Sequence, residues 1–258
     1  MTPNVLILRA PGINRDGDAA MACELAGASA ERVHVNRIAD GTVRLRDYAM
    51  LIIPGGFSYG DDLGAGKLLA VDLAHRLGDQ LRNFVADGRP VIGICNGFQV
   101  LVKAGVLPGN AGPPTFTLTD NRSGRFECRW VRLQADPQSR CIFTRGIECM
   151  IEVPVAHGEG RVVLADAGTL ADLRAAGQVA LRYVADDGGS PAYPANPNGS
   201  AGDIAGICNA QGNVLGLMPH PENAIRPQQH PRWTREPWRD VGDGLAIFRN
   251  AVEYAKTL

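Results

Sequence analysis

Four short apolar runs punctuate the first hundred residues, at 5–8, 32–35, 50–53 and 91–94. The first, third and fourth are almost continuously apolar, as strands covered on both faces are. Between them the apolar spacing becomes helical. Residues 16–27 carry Ala19, Ala20, Ala22, Cys23 and Leu25, and residues 77–87 place Leu77, Leu81, Phe84 and Val85 on one face before a stop at Gly88. A third helix is predicted over 98–104, running on from the fourth strand to Gly105. Strands alternating with helices predict a parallel sheet with helices on both faces. The second half reads as strands with few helices between them, at 127–133, 161–164, 179–184, 204–208 and 214–218, the last two joined by a hairpin over 209–213. Leu245, Phe248, Val252 and Tyr254 predict a closing amphipathic helix. Residues 188–202 and 226–239 read as loops. With no repeat and no linker, residues 1–258 are expected to form a single domain.

Composition narrows the function classes. A chain of 258 residues can bury roughly three quarters of its unfolded surface, so it needs no disulfide or structural metal to fold. A formal net charge of -1 supplies no overall field toward nucleic acid or an acidic membrane, and neither is expected as a partner. No apolar stretch approaches the ~20 residues that span a bilayer, and the first residues lack the basic segment and apolar run of a secretory leader. The six cysteines form no C-x-x-C pair. That scatter argues against a zinc finger or a disulfide framework and for a reducing, cytoplasmic location.

The sharpest local pattern is Gly93-Ile94-Cys95-Asn96-Gly97-Phe98-Gln99. An apolar strand ends at Cys95, glycines flank it at minus two and plus two, and a helix begins. A nucleophile elbow needs this layout: the chain turns sharply, the glycines relieve crowding, and the sulfur projects at a helix N-terminus whose N–H groups favour a thiolate and an oxyanion. The competing reading is a small buried cysteine at a strand–helix junction. A base is offered by His220, which follows a predicted strand in Pro219-His220-Pro221-Glu222, and Glu222 can orient its ring. A turn histidine beside a solvated glutamate is the plain alternative, and a metal site of His220, Glu222 and His230 a weaker one. The run from Gly55 to Lys67 resembles a phosphate loop but fails the motif, since Asp61 stands where a glycine is needed and Leu68 where Ser or Thr is needed. It reads better as a backbone-exposing loop after the third strand, with the Gly56 N–H facing the Asn96 N–H as a two-donor oxyanion hole.

Taken together, Cys95-Asn96-Gly97-Phe98-Gln99 and Pro219-His220-Pro221-Glu222 resemble the nucleophile and His/Glu motifs of class I, triad-type glutamine amidotransferases. More narrowly, Asn14-Arg15-Asp16-Gly17-Asp18, Gly55-Gly56-Phe57-Ser58-Tyr59-Gly60-Asp61, Ala156-His157-Gly158-Glu159-Gly160-Arg161 and Asn196-Pro197-Asn198-Gly199-Ser200 resemble the glutaminase part of phosphoribosylformylglycinamidine synthase. The resemblance implies a flavodoxin-like α/β fold with a mixed, mostly parallel sheet. It implies Cys95 as nucleophile, His220 as base, Glu222 as its orienter, and Gly56 and Asn96 as oxyanion donors. Gln99, Gly55, Phe57, His157 and Arg125 are implied for substrate binding. It implies no metal or cofactor on this chain, ATP and magnesium on a PurL-type synthetase partner, a small PurS-type accessory subunit, and glutamine as substrate in purine biosynthesis. The chain departs from that pattern at Asn223, where the family often has Arg, and in the length of the segment 225–239. Two rival readings are a Cys-dependent peptidase or deglycase on the same scaffold and a non-catalytic regulatory subunit.

Overall fold

The computed structural model describes residues 2–109, 114–237 and 239–258. Met1 of the predicted start and Trp238 of the predicted loop lie outside the described residues. The strands are β1 (Asn4–Arg9), β2 (Ser29–His34), β3 (Met50–Ile53), β4 (Val91–Ile94), β5 (Phe116–Asp120), β6 (Glu127–Ala135), β7 (Ile151–His157), β8 (Glu159–Leu164), β9 (Val179–Val184), β10 (Ile204–Cys208) and β11 (Val214–Leu217). The helices are α1 (Asp16–Leu25), α2 (Val35–Ala39), α3 (Lys67–Arg76), α4 (Gly78–Ala86), α5 (Asn96–Lys103), α6 (Ala167–Ala175) and α7 (Leu245–Ala255).

Nine strands form one sheet in the order β2-β1-β3-β4-β11-β10-β9-β6-β7, and β5 pairs with β8 in a separate ribbon. The first five of that order are mutually parallel; β10, β9, β6 and β7 extend the sheet through antiparallel pairs. The flavodoxin-like mixed sheet is therefore the observed fold. The step from β1 to β2 runs toward one edge and the step from β3 to β4 toward the other. Right-handed crossovers then put α1 on the opposite face from α3 and α4. Consistently, α1 packs with α7, and α3 with α4 and α5. The continuous apolar runs of β1, β3, β4 and β11 are the buried centre that both helix layers cover.

Several elements differ from the sequence reading. Helix α3 fills a stretch with no helix predicted: its N-cap is Gly66 in a left-handed conformation (φ 71), so the usual Ser, Thr, Asp or Asn start signal is missing. Strand β7 carries Pro154 at its centre, which argues against a strand unless it lies at a sheet edge, and β7 is an edge. Helix α6 buries only Thr169 and Leu173, so its apolar face is too thin to read, although Asp166 caps it by accepting from the Thr169 N–H at 2.8 Å.

In the parallel half the C-terminal ends of β1, β3, β4 and β11 lie side by side. The turns that follow them bring Arg15, Gly55, Cys95 and His220 to one edge, where open α/β sheets bind ligands. Edge strand β7 reaches the same place from the other half: the His220 N–H donates to the Pro154 carbonyl at 2.8 Å.

Candidate active site

The turn from β4 to α5 is strained at one residue. Cys95 has φ 51 and ψ -106, a conformation that costs a non-glycine residue about 1–3 kcal/mol. Its flanking glycines allow close approach rather than unusual dihedrals. A Cβ on Gly97 would stand 1.9 Å from the Ile53 carbonyl oxygen, and one on Gly93 would stand 2.5 Å from the Gly97 carbonyl oxygen. The helix start is thus pressed against the end of β3. The Phe98 and Gln99 N–H groups donate back to the Cys95 carbonyl. The sulfur lies 3.7 Å from the Ala156 carbonyl oxygen of β7.

His220 and Glu222 sit in the turn after β11. His220 Nδ1 is 2.6 Å from Glu222 Oε1, with both side chains buried. Burial works against a charge on His220, but the Glu222 carboxylate and the Cys95 sulfur outweigh it and hold the imidazole up at about 10. His220 Nε2 and Glu222 Oε2 are buried without a nitrogen or oxygen partner among the described residues. Gly55 wedges between the histidine and the cysteine: a Cβ there would be 2.8 Å from His220 Cε1 and 3.5 Å from Cys95 Cβ. One missing methyl group thus fits against both side chains, which places them side by side.

A cavity of about 530 Å³ opens over Cys95. Of the residues singled out in the sequence, Gly56, Phe57, Gln99, Arg125 and His157 line it with Cys95; Gly55, Asn96 and His220 adjoin the cysteine outside that lining, and Glu222 stands behind His220. Gly56 (φ 142) bridges Ile13, and a Cβ on it would meet the Gly12 carbonyl oxygen at 2.7 Å. Phe57 and Arg125 are exposed at the mouth. Gln99 is buried with its amide already engaged: Nε2 donates to the Glu159 carbonyl, and Oε1 accepts from Asn96 Nδ2 at 3.1 Å. The rest of the Asn96 side chain is spent on the loop after β3, accepting from the Ser58 N–H and Oγ–H and donating to Asp61 Oδ1 at 2.9 Å. Asp61 also accepts from the Gly66 N–H at 3.3 Å. Burial pushes its carboxyl up from the usual range, opposed by those two donors.

The sequence reading missed the acids Asp61, Asp120 and Glu159, which line the cavity together with Arg125. It also missed Asn121 and Ser58. The signal for Asp61 is present in its resemblance segment, where it serves only as the residue that breaks the phosphate-loop motif. His230 does not join His220. Its Nε2 pairs with Glu152 at 2.5 Å, and with Glu236 these residues form a group that could hold a metal ion. Arg132, Arg232 and Arg239 already occupy those carboxylates.

Residues 2–255 match the family described as CobB/CobQ-like glutamine amidotransferase domain. The chain is 52% identical over 242 residues to the phosphoribosylformylglycinamidine synthase subunit PurQ of Treponema denticola, covering 87% of this chain and 89% of that protein. It is 48% identical to the subunit of the same name from Dehalococcoides mccartyi, over 97% of each chain. Among solved structures it resembles a chain of PurLQS from Thermotoga maritima, with a TM-score of 0.76 and 34% identity over 98% of this chain and 99% of that one.

Proposed function

We propose, since this chain belongs to the glutamine amidotransferase family of phosphoribosylformylglycinamidine synthase PurQ subunits, that it releases ammonia from glutamine at Cys95 for a synthetase partner. The observation that carries the reading is the strained cysteine beside the buried His220–Glu222 pair, opening on a cavity lined by three acids and one arginine. That lining suits a free amino acid, which presents one ammonium and one carboxylate.

The chemistry follows from the placement. The His220 imidazole carries a proton at both ring nitrogens, held there and oriented by Glu222. The sulfur attacks the side-chain carboxamide carbon of glutamine, and the carbonyl electron pair moves to oxygen. The Gly56 and Asn96 N–H groups hold that oxyanion, each worth about 3 kcal/mol. Collapse of the adduct breaks the C–N bond, and the leaving nitrogen takes the His220 proton as ammonia. Water, deprotonated by His220, then adds to the thioester; the C–S bond breaks and glutamate leaves. Arg125 pairs with the substrate carboxylate at the mouth, while Gln99, Gly55, Phe57 and His157 shape the pocket.

The product ammonia goes to a PurL-type synthetase subunit that binds ATP and magnesium and converts formylglycinamide ribonucleotide to its amidine in purine biosynthesis, with a small PurS-type subunit in the same complex. No helix among the described residues is long and apolar enough to cross a membrane. The protein works in the cytoplasm as one amidotransferase domain spanning residues 1–258. Labelling with a glutamine-analogue electrophile tests the reading: the adduct is expected on Cys95 alone by peptide mapping, with protection by glutamine. An unreacted Cys95 under conditions that label another cysteine contradicts it.

A further inference from the structure

His157 ends β7 and lines the cavity beside Ala156, whose carbonyl meets the Cys95 sulfur. Its ring is held by Asn121 and Gly160. Asn121 Nδ2 donates to the carbonyl oxygens of Arg125 (2.9 Å) and His157 (2.7 Å), and carbonyls can only accept. The Asn121 amide therefore has one allowed orientation, with Oδ1 turned to His157 Nδ1 at 3.1 Å. Nδ1 must carry the hydrogen, and Nε2 must carry a lone pair.

Gly160 lies against the ring, where a Cβ would stand 2.5 Å from Nδ1 and 2.6 Å from Cε1. Asn198, from the Asn196–Ser200 motif, clamps that glycine by donating to its carbonyl at 2.8 Å. Burial, and then the positive charge of His220, hold the His157 imidazole down at about 3, so the ring is neutral.

Two ring nitrogens at this site, His157 Nε2 and His220 Nε2, are buried with no nitrogen or oxygen partner among the described residues. His220 is charged, so its Nε2 is a donor, while that of His157 is an acceptor. A donor and an acceptor together complement a nitrogen that bears N–H groups and is gaining a lone pair. On the glutaminase reading above, the carboxamide nitrogen of the adduct on Cys95 is such an atom.

We propose that His157 Nε2 accepts a hydrogen bond from the carboxamide N–H of glutamine and, opposite His220 Nε2–H, orients the departing nitrogen. When the adduct collapses, the C–N electron pair stays on nitrogen and takes the His220 proton, the oxyanion pair restores the carbonyl, and sulfur stays bonded to carbon. His157 exchanges no proton. Its part is to select an amide, whose leaving atom carries hydrogens, over an ester, whose leaving oxygen has none.

The test uses the complex of this chain with its synthetase partner and two substrates, glutamine and the γ-methyl ester of glutamate. His157→Leu is expected to lower kcat/KM for glutamine by roughly ten- to a hundredfold while changing ester turnover by less than about threefold. His157→Gln, which keeps an acceptor, is expected to recover most of the glutamine rate. A parallel loss on both substrates in both variants, or undiminished glutamine turnover in His157→Leu, overturns the proposal. Failure of the wild-type complex to hydrolyse either substrate instead sinks the glutaminase reading itself.

Discussion

His220 Nδ1 and Glu222 Oε1 stand 2.6 Å apart with both side chains buried, and the second carboxylate oxygen has no other partner among the described residues. The carboxylate is therefore committed to the imidazole. Glu222→Gln leaves the geometry but replaces the charge with an amide, which removes the main support for the imidazolium and permits the wrong tautomer. Glutaminase turnover is expected to fall by roughly 10²–10⁴-fold with circular dichroism unchanged. A fall of less than tenfold contradicts the assigned role.

The same pair sets a pH dependence of stability. The His220 imidazole is raised to about 10 in the folded chain, against about 6.5 when unfolded. Below 6.5 both states hold the proton and the pair's contribution is complete; between 6.5 and 10 the folded state holds more protons, so stability falls as pH rises. His157, lowered to about 3, works in the other direction: below 6.5 the unfolded state binds the extra proton, so stability falls as pH falls toward 3. Urea unfolding from pH 7 to 10 is expected to show a shallower decline in Glu222→Gln than in wild type. Parallel curves contradict this.

Strain at the nucleophile gives a stability test. Cys95→Gly and Cys95→Ala both remove the sulfur, but only glycine adopts φ 51, ψ -106 without cost. The glycine variant is expected to be more stable than the alanine variant by about 1 kcal/mol, measured by urea unfolding. An alanine variant at least as stable as the glycine variant shows that the elbow stores no strain.

Close approach beneath the elbow gives another. Gly97→Ala would place a methyl carbon 1.9 Å from the Ile53 carbonyl oxygen, and neither backbone can withdraw without shifting α5 from β3. The variant is expected to lose at least about 3 kcal/mol of stability, or to fail to accumulate as folded protein. A change below about 1 kcal/mol contradicts the described packing.

The parallel half of the fold was legible because its strands are buried on both faces: residues 50–53 and 91–94 have no polar interruption, so their ends coincide with β3 and β4. Cys95 and His220 were legible for a related reason, since Cys95 directly follows such a strand and His220 stands three residues past the end of another. What escaped was set by contacts distant in sequence. Pro154 looks unfit for a strand until β7 is seen as an edge whose free carbonyl takes the His220 N–H. Asn96 was read for its backbone alone, yet its side chain ties Ser58, Asp61 and Gln99 together. Gln99, expected at the substrate, spends its amide on the Glu159 carbonyl and Asn96. No local pattern ties Asn96 to Ser58 and Asp61 or Gln99 to Glu159, 35 to 60 positions away.

The most direct measurement compares glutamine with free ammonia as nitrogen donor in the complex of the Cys95→Ala chain with its synthetase partner. Amidine formation from glutamine is expected to vanish, while formation from ammonium chloride continues at the wild-type rate. Persistent glutamine-dependent synthesis in that variant would contradict the assignment of Cys95 as the nucleophile.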